Sequence, residues 1–200
     1  MDEQKVTLNE FEHLVESIRK NERKQSTLLI GIDGCGGSGK STIAQKLKEQ
    51  FSHVDIVHMD DFYLPSSQIS NDHPSQKPIG ADYDWPRVLK QVLEPLMNAQ
   101  EASYQRYDWD NDKLEEWHTI PCGSIVIIEG VYATRKELAN YYDFKIWMEC
   151  PRETRLSRGL ERDGENARDM WVKNWMVSED IYMEACKPRE RADFVVDGTR

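Results

Sequence analysis

Long apolar runs are missing from this 200-residue sequence. The longest strictly apolar stretch is four residues, Ile125 to Ile128, where a membrane-spanning helix needs about 20. No membrane partner is expected. The opening residues, Met1-Asp2-Glu3-Gln4-Lys5, lack the basic and apolar regions of a secretory signal. Cysteine is sparse: Cys35, Cys122, Cys150 and Cys186 stand far apart, with no C-x-x-C. That argues against a disulfide framework or a zinc site and for reduced thiols in a cytoplasmic protein. Positive charge is in deficit, with 26 Lys and Arg against 36 Asp and Glu and a net charge of −10. Long-range repulsion of phosphate then disfavours nucleic acid and anionic membranes as partners. Glycine is also scarce, at 11 residues, yet five (Gly31, Gly34, Gly36, Gly37 and Gly39) fall within nine positions.

What is present is an alternation. The length and the 38% apolar content predict a single domain over residues 1–200 with a sizeable core. Phe11, Leu14, Val15 and Ile18 follow helical spacing, so residues 7–23 are predicted as an amphipathic helix within an N-terminal helical extension, 1–25. Strands are predicted at 27–33, 55–59, 124–131, 144–150 and 192–197, and helices at 40–51, 84–98, 151–165 and 167–187. Continuous apolar strands between helices imply an α/β fold, a three-layer sandwich with a mostly parallel five-stranded sheet. Residues 64–82, rich in Pro, Ser, Asn and Asp, read as a mobile loop. Two aromatic-rich runs flank Asp110-Asn111-Asp112-Lys113 and predict a small β-hairpin insertion over 103–120.

The clustered glycines belong to Gly34-Cys35-Gly36-Gly37-Ser38-Gly39-Lys40-Ser41, which fits G-x-x-x-x-G-K-[ST] between a buried strand and a helix. Turning successive N–H groups inward around a phosphate needs φ angles that glycine adopts cheaply. The helix that follows presents its positive end to the same anion. Lys40 can reach β- and γ-phosphates, the Ser41 hydroxyl can ligate Mg²⁺, and Thr42 is a further phosphate donor. The cofactors expected are therefore ATP and Mg²⁺. Cys35 is either a thiol activated by a helix N-terminus or a small residue whose backbone alone matters; the second reading is favoured.

A GTPase would need N-K-x-D, and an ABC-type ATPase its own signature; neither occurs. His58-Met59-Asp60-Asp61-Phe62-Tyr63 follows the second strand, at the sheet end where open α/β folds bind ligands. A kinase needs a carboxylate there to deprotonate an acceptor hydroxyl. Asp60 is the preferred base and Asp61 its rival; the pair would otherwise cap a turn. Glu129, ending a buried strand, is placed near Mg²⁺ or its waters, or else is a solvated strand-end acid. Arg155, Arg158 and Arg162 share one helix face, and Arg168 follows the plausible hinge Gly164. Such a face could act as a helical lid, residues 152–168, over a nucleotide, or be a solvated charged surface. Tyr104, Tyr107, Trp109 and Trp117 could stack on a base or pack across strands. For His73 and His118 a surface or structural role is the better reading.

Taken together, GIDGCGGSGKST, HMDDFYLP, Tyr83-Asp84-Trp85-Pro86, Tyr107-Asp108, IVIIEG and TRLSRGLERD resemble the uridine kinase and phosphoribulokinase family of P-loop small-molecule kinases, over roughly residues 27–198. The resemblance implies a P-loop NTPase fold and ATP-dependent phosphorylation of a hydroxyl on a small metabolite. In uridine kinases this is the 5′-hydroxyl of uridine or cytidine. It implies Asp60 as base and metal-side carboxylate, with Ser41 and Glu129 as the other metal-side groups. It implies Tyr63, Asp84, Tyr107 and Arg162 on the nucleoside side and Arg168 as a lid arginine on the phosphates; with Asp60, the loop's Lys40 and these two arginines, Arg162 and Arg168, are the expected catalytic residues. Two positions depart from the family: Asp112 stands where a histidine usually reads the pyrimidine edge, and Gly159 follows Arg158 where paired arginines are common. A nicotinamide riboside kinase is the alternative acceptor class, and a nucleotide-binding regulator or ATPase without acceptor is a different one. The exposed aromatic hairpin leaves a homo-oligomer open.

Overall fold

The structure, a computed structural model, describes residues 3–21 and 25–199. Residues 22 and 23 of the predicted first helix lie outside them. Five strands, β1 (Leu28–Gly34), β2 (Val54–His58), β5 (Ile125–Glu129), β6 (Phe144–Glu149) and β7 (Phe194–Asp197), form one sheet. Its order is β2-β5-β1-β6-β7 and every pairing is parallel, the β6–β7 edge included. β3 (Ala102–Asp108) and β4 (Lys113–Ile120) pair antiparallel as the separate hairpin.

The continuous apolar runs follow from burial on both faces. Leu28, Ile30 and Ile32 of β1, with Ile125 and Ile127 of β5, face a core shared with Ile43, Ala44 and Leu47 of α2 (Lys40–Gln50). Leu14, Val15 and Ile18 of α1 (Glu3–Lys20) join that core, so the helical spacing read near the N-terminus is its packing face. Leu29, Val126 and Ile128 face the other way, onto Val88, Val92, Leu93 and Leu96 of α3, which runs through Trp85–Val88, a π turn at Leu89–Leu93 and Glu94–Met97. Pro95 has no N–H to give the Gln91 carbonyl, and the π turn lies just before it. Each fully buried aliphatic side chain in these layers contributes about 1.5–3 kcal/mol relative to exposure.

The remaining helices are α4 (Lys136–Ala139), α5 (Arg152–Asp163) and α6, built from Arg168–Met170, a π turn at Trp171–Trp175 and Met176–Cys186. Asp33, at the end of β1, is 1% exposed and joins three parts of the chain. It accepts hydrogen bonds from Gly34 N (2.7 Å), Thr134 N (2.8 Å), Thr134 Oγ1 (2.9 Å) and Tyr182 Oη (2.7 Å). Among the described residues no helix is long and apolar enough to cross a membrane.

Candidate active site

Parallel strands send their C-terminal ends to one edge, and the chemistry-bearing residues follow them there. Ser41, Asp60, Tyr63, Glu129 and Arg162 line one cavity of about 520 Å³ with Gly36, Gly37, Gly39, Lys40 and Thr42. The loop between β1 and α2 supplies its floor. Gly37 has φ +73°, and a Cβ there would lie 2.6 Å from the Arg155 carbonyl, so both conformation and space require glycine. Gly39 (φ +94°) begins α2 without a side-chain cap. The first-turn N–H groups of an eleven-residue helix are thus left by the side chains to the cavity, as an anion site requires. Lys40 Nζ, buried, donates to the Cys35 carbonyl at 2.9 Å.

Oxygen ligands suited to a hard cation sit beside this floor. Ser41 Oγ donates to Glu129 Oε1 at 2.9 Å, and Glu129 is 4% exposed. Strand register sets His58 opposite Glu129, and His58 Nδ1 lies 2.6 Å from the same oxygen. Burial raises the Glu129 carboxyl, but the His58 hydrogen bond and the Lys40 charge outweigh it and hold the group below its usual range. The Glu129 bond in turn raises His58. Among the described residues no group of three or more His, Cys, Asp or Glu side chains could by itself hold a metal. That fits Mg²⁺, which takes few protein carboxylates and completes its shell with phosphate and water.

Adjacent Asp60 and Asp61 part company in space. Asp60 lines the cavity and accepts a bond from Tyr83 Oη at 3.3 Å. Burial pushes its carboxyl up, against the pull of Lys40. Asp61 turns to the hairpin, where Tyr104 Oη donates to it at 3.0 Å. The aromatics divide likewise. Tyr104 stacks on Phe62 (5.0 Å) in the core, Trp109 lies 4.5 Å from Tyr63 in the cavity wall, and Trp117 is exposed on the hairpin. His118 stacks on Tyr104 and His73 caps a turn, so both are structural.

Several expected site residues do not reach the cavity lining. Asp84 caps α3, accepting from Arg87 N and pairing with the Arg87 guanidinium. Tyr107 stands behind Tyr63 and Trp109, its hydroxyl donating to Asp112 at 2.7 Å. Arg168 is exposed and bonded to Glu165. Gly34 and Ser38 lie outside the lining, the Ser38 N–H donating to the Cys35 carbonyl within the loop at 3.2 Å. The arginine face of α5 splits too. Arg155 is buried against Glu179 at 2.7 Å, and Glu179 also accepts the Gly36 N–H at 2.7 Å. Arg158 donates to the carbonyls of Gly37 and Gly198. Arg162 lines the cavity, paired with Asp163. Burial pushes the Cys35 thiol up, the opposite direction from an activated thiolate, and its carbonyl accepts from Lys40 in the loop.

Sequence reasoning missed other walls. Segment 64–82 folds into short 3₁₀ turns, and its second half lines the cavity through Pro74, Lys77, Ile79 and Asp82 among others. Tyr83, Tyr132, Trp171 and Trp175 complete the enclosure. Tyr83 adjoins Asp84 in the Tyr83-Asp84-Trp85-Pro86 step; the two tryptophans come from the helix predicted at 167–187, which carries no motif.

A family model described as Phosphoribulokinase / Uridine kinase family matches residues 29–188. The uridine kinase of Mycoplasma pneumoniae is 30% identical over 190 residues, 84% of either chain. That of Brevibacillus brevis is 28% identical over 184 residues, again 84% of each. A solved structure described as "a Possible Uridine Kinase" from Bacillus stearothermophilus has a TM-score of 0.75 and 25% identity, covering 94% of this chain and 98% of that one. A match that runs from the phosphate loop through the β5 carboxylate to the end of α6 places this chain in the phosphoribulokinase and uridine kinase family, and it is an ATP-dependent kinase.

Proposed function

We propose that the chain transfers the γ-phosphoryl group of ATP to a hydroxyl of a small, nucleoside-like acceptor, with Asp60 as base. The observation that carries this reading is the position of Asp60, in one cavity with the phosphate loop, Lys40, Arg162 and the Tyr63–Trp109 wall. Relatives named uridine kinase support uridine as the acceptor, and the family resemblance implies its 5′-hydroxyl or that of cytidine. A bound ATP·Mg²⁺ supplies the phosphoryl group and the divalent charge. The chain's own residues do the rest. The α2 N-terminus and Lys40 bind and orient the phosphates, and Ser41, Glu129 and Asp60 would hold the metal side. Asp60 takes the acceptor O–H proton, its carboxylate oriented by Tyr83. Arg162 adds positive charge at the cavity mouth, and α5, Trp171 and segment 74–82 exclude water.

A second reading, nicotinamide riboside as acceptor, draws on one observation against a pyrimidine: Asp112, where the family usually has a histidine, is held by Ser66 and Tyr107. Uridine, cytidine and nicotinamide riboside, each incubated with ATP and Mg²⁺, separate the readings by the phosphorylated product seen in mass spectra. Asp60→Asn should lower turnover about 10²–10⁴-fold while ATP binding, measured by calorimetry, persists. ADP release that ignores the acceptor, or near-normal turnover of the variant, overturns the proposal.

A further inference from the structure

Asp112 occupies the hairpin tip with φ +49°, a left-handed conformation that Asp tolerates better than most residues. Its carboxylate accepts three hydrogen bonds. Oδ1 accepts from Ser66 N at 2.8 Å and from Tyr107 Oη at 2.7 Å, and Oδ2 accepts from Ser66 Oγ. Ser66 opens the first 3₁₀ turn of the segment whose later residues, from Pro74 to Asp82, line the cavity. Tyr107 packs against Tyr63 and Trp109, at 5.8 and 5.1 Å between ring centroids, and both of those line it as well. One carboxylate therefore joins two parts of the chain that wall the cavity.

We propose that Asp112 is a positioning residue for the acceptor: it clasps the hairpin to segment 64–82 and so sets the wall against which the acceptor rests. The functional half of this statement rests on the kinase reading above; the structural half does not. The clasp turns both oxygens of Asp112 toward protein donors, which leaves little of the carboxylate for an acceptor at this position. Selection then falls to the aromatic faces of Tyr63 and Trp109, which discriminate by shape and stacking rather than by hydrogen-bond pattern. Ordering the wall in advance also removes part of the entropy that the acceptor would otherwise spend on closing it.

The test uses the full chain and four variants: Asp112→Ala, Asp112→Asn, Ser66→Ala and the Ser66→Ala/Asp112→Ala double. Amide hydrogen exchange of the ligand-free protein reads the clasp directly. Asp112→Ala should speed exchange across residues 64–82 about tenfold, the scale expected for losing charge-assisted bonds, while strands of the main sheet stay protected. The acceptor KM should rise by the same order, with kcat and the ATP KM held within about twofold. Asp112→Asn, which keeps one accepting oxygen, should fall between. The double variant should be no worse than Asp112→Ala alone, since both changes break the same tie. Unchanged exchange in 64–82 overturns the clasp. A parallel loss in kcat and both KM values, or additive effects in the double variant, overturns its role in placing the acceptor. If the wild-type protein phosphorylates no acceptor, the kinase reading fails while the exchange data still decide on Asp112.

Discussion

Asp60 sits under opposing influences, and their balance has two measurable consequences. Burial raises its carboxyl, Lys40 lowers it, Glu129 raises it, and Tyr83 and Arg162 lower it; the net direction is up. A base works ionised, so the acid limb of the kcat/KM profile should lie above the ordinary aspartate value of about 4. The same shift bears on stability. A folded-state pKa above the unfolded one means that the folded protein binds the proton more tightly, so stability falls as pH rises between the two values. Ionised Asp60 therefore destabilises the fold at neutral pH. Asp60→Asn should lose turnover yet melt higher than wild type at pH 7, by about 2–4 °C for each kcal/mol recovered. The gap should narrow as pH falls toward 4, and thermal scans at the two pH values with equal gaps would refute the assignment. The gathering of Lys40, Ser41 and Glu129 in one place was legible in the sequence because one loop and one strand end carry them. The separation of Asp60 from Asp61 was not: it depends on Tyr104, which reaches Asp61 from the hairpin.

At the scale of elements, the contact between α5 and α6 explains a departure that the sequence left unexplained. A Cβ on Gly159 would lie 2.4 Å from Trp171 Cε2 and Cζ2. The indole cannot easily yield, since its other side abuts Gly36 and its Nε1 donates to Asp163 at 2.9 Å. The place of a second lid arginine is thus filled by a tryptophan from the next helix. Gly→Ala inside a helix ordinarily stabilises by about 1 kcal/mol. Gly159→Ala should reverse that sign and cost about 1–3 kcal/mol through overpacking, read from urea midpoints. ATP affinity should fall with it, because Trp171 also supports the phosphate loop. A stabilised variant would show that Trp171 is free to move. Strands and helices were legible from periodicity because each buries its own face. Segment 64–82 was not, since its Pro, Ser and Asp content signals only that it is irregular, and its packing depends on the hairpin and α6.

On the whole-molecule scale, a chain of net charge −10 must attract an anion. The cavity lining resolves this only at short range. Its acids, Asp60, Asp82, Glu129, Asp163 and Glu179, outnumber its bases, Lys40, Lys77, Arg158 and Arg162. Part of that charge is paired within the lining, Lys77 with Asp82 and Arg162 with Asp163, while Arg158, bound to neutral carbonyls, keeps its charge beneath the loop. What faces phosphate is Lys40 and the N-terminus of α2, with Arg162 in the same lining, a small positive spot in an acidic surface. The range at which each acts depends on salt, with a Debye length of about 30 Å at 0.01 M and about 8 Å at 0.15 M. At low salt an approaching ATP·Mg²⁺, itself negative, feels the repulsion of the whole molecule. Near physiological salt it feels only the loop. The association rate measured by stopped-flow tryptophan fluorescence should therefore rise from 0.01 M toward about 0.15 M ionic strength and level off. A polyanion-binding protein shows the opposite, a steep fall over the same range. A falling rate here would mean that the acidic surface lies far from the approach path and that the cavity's field governs at every distance.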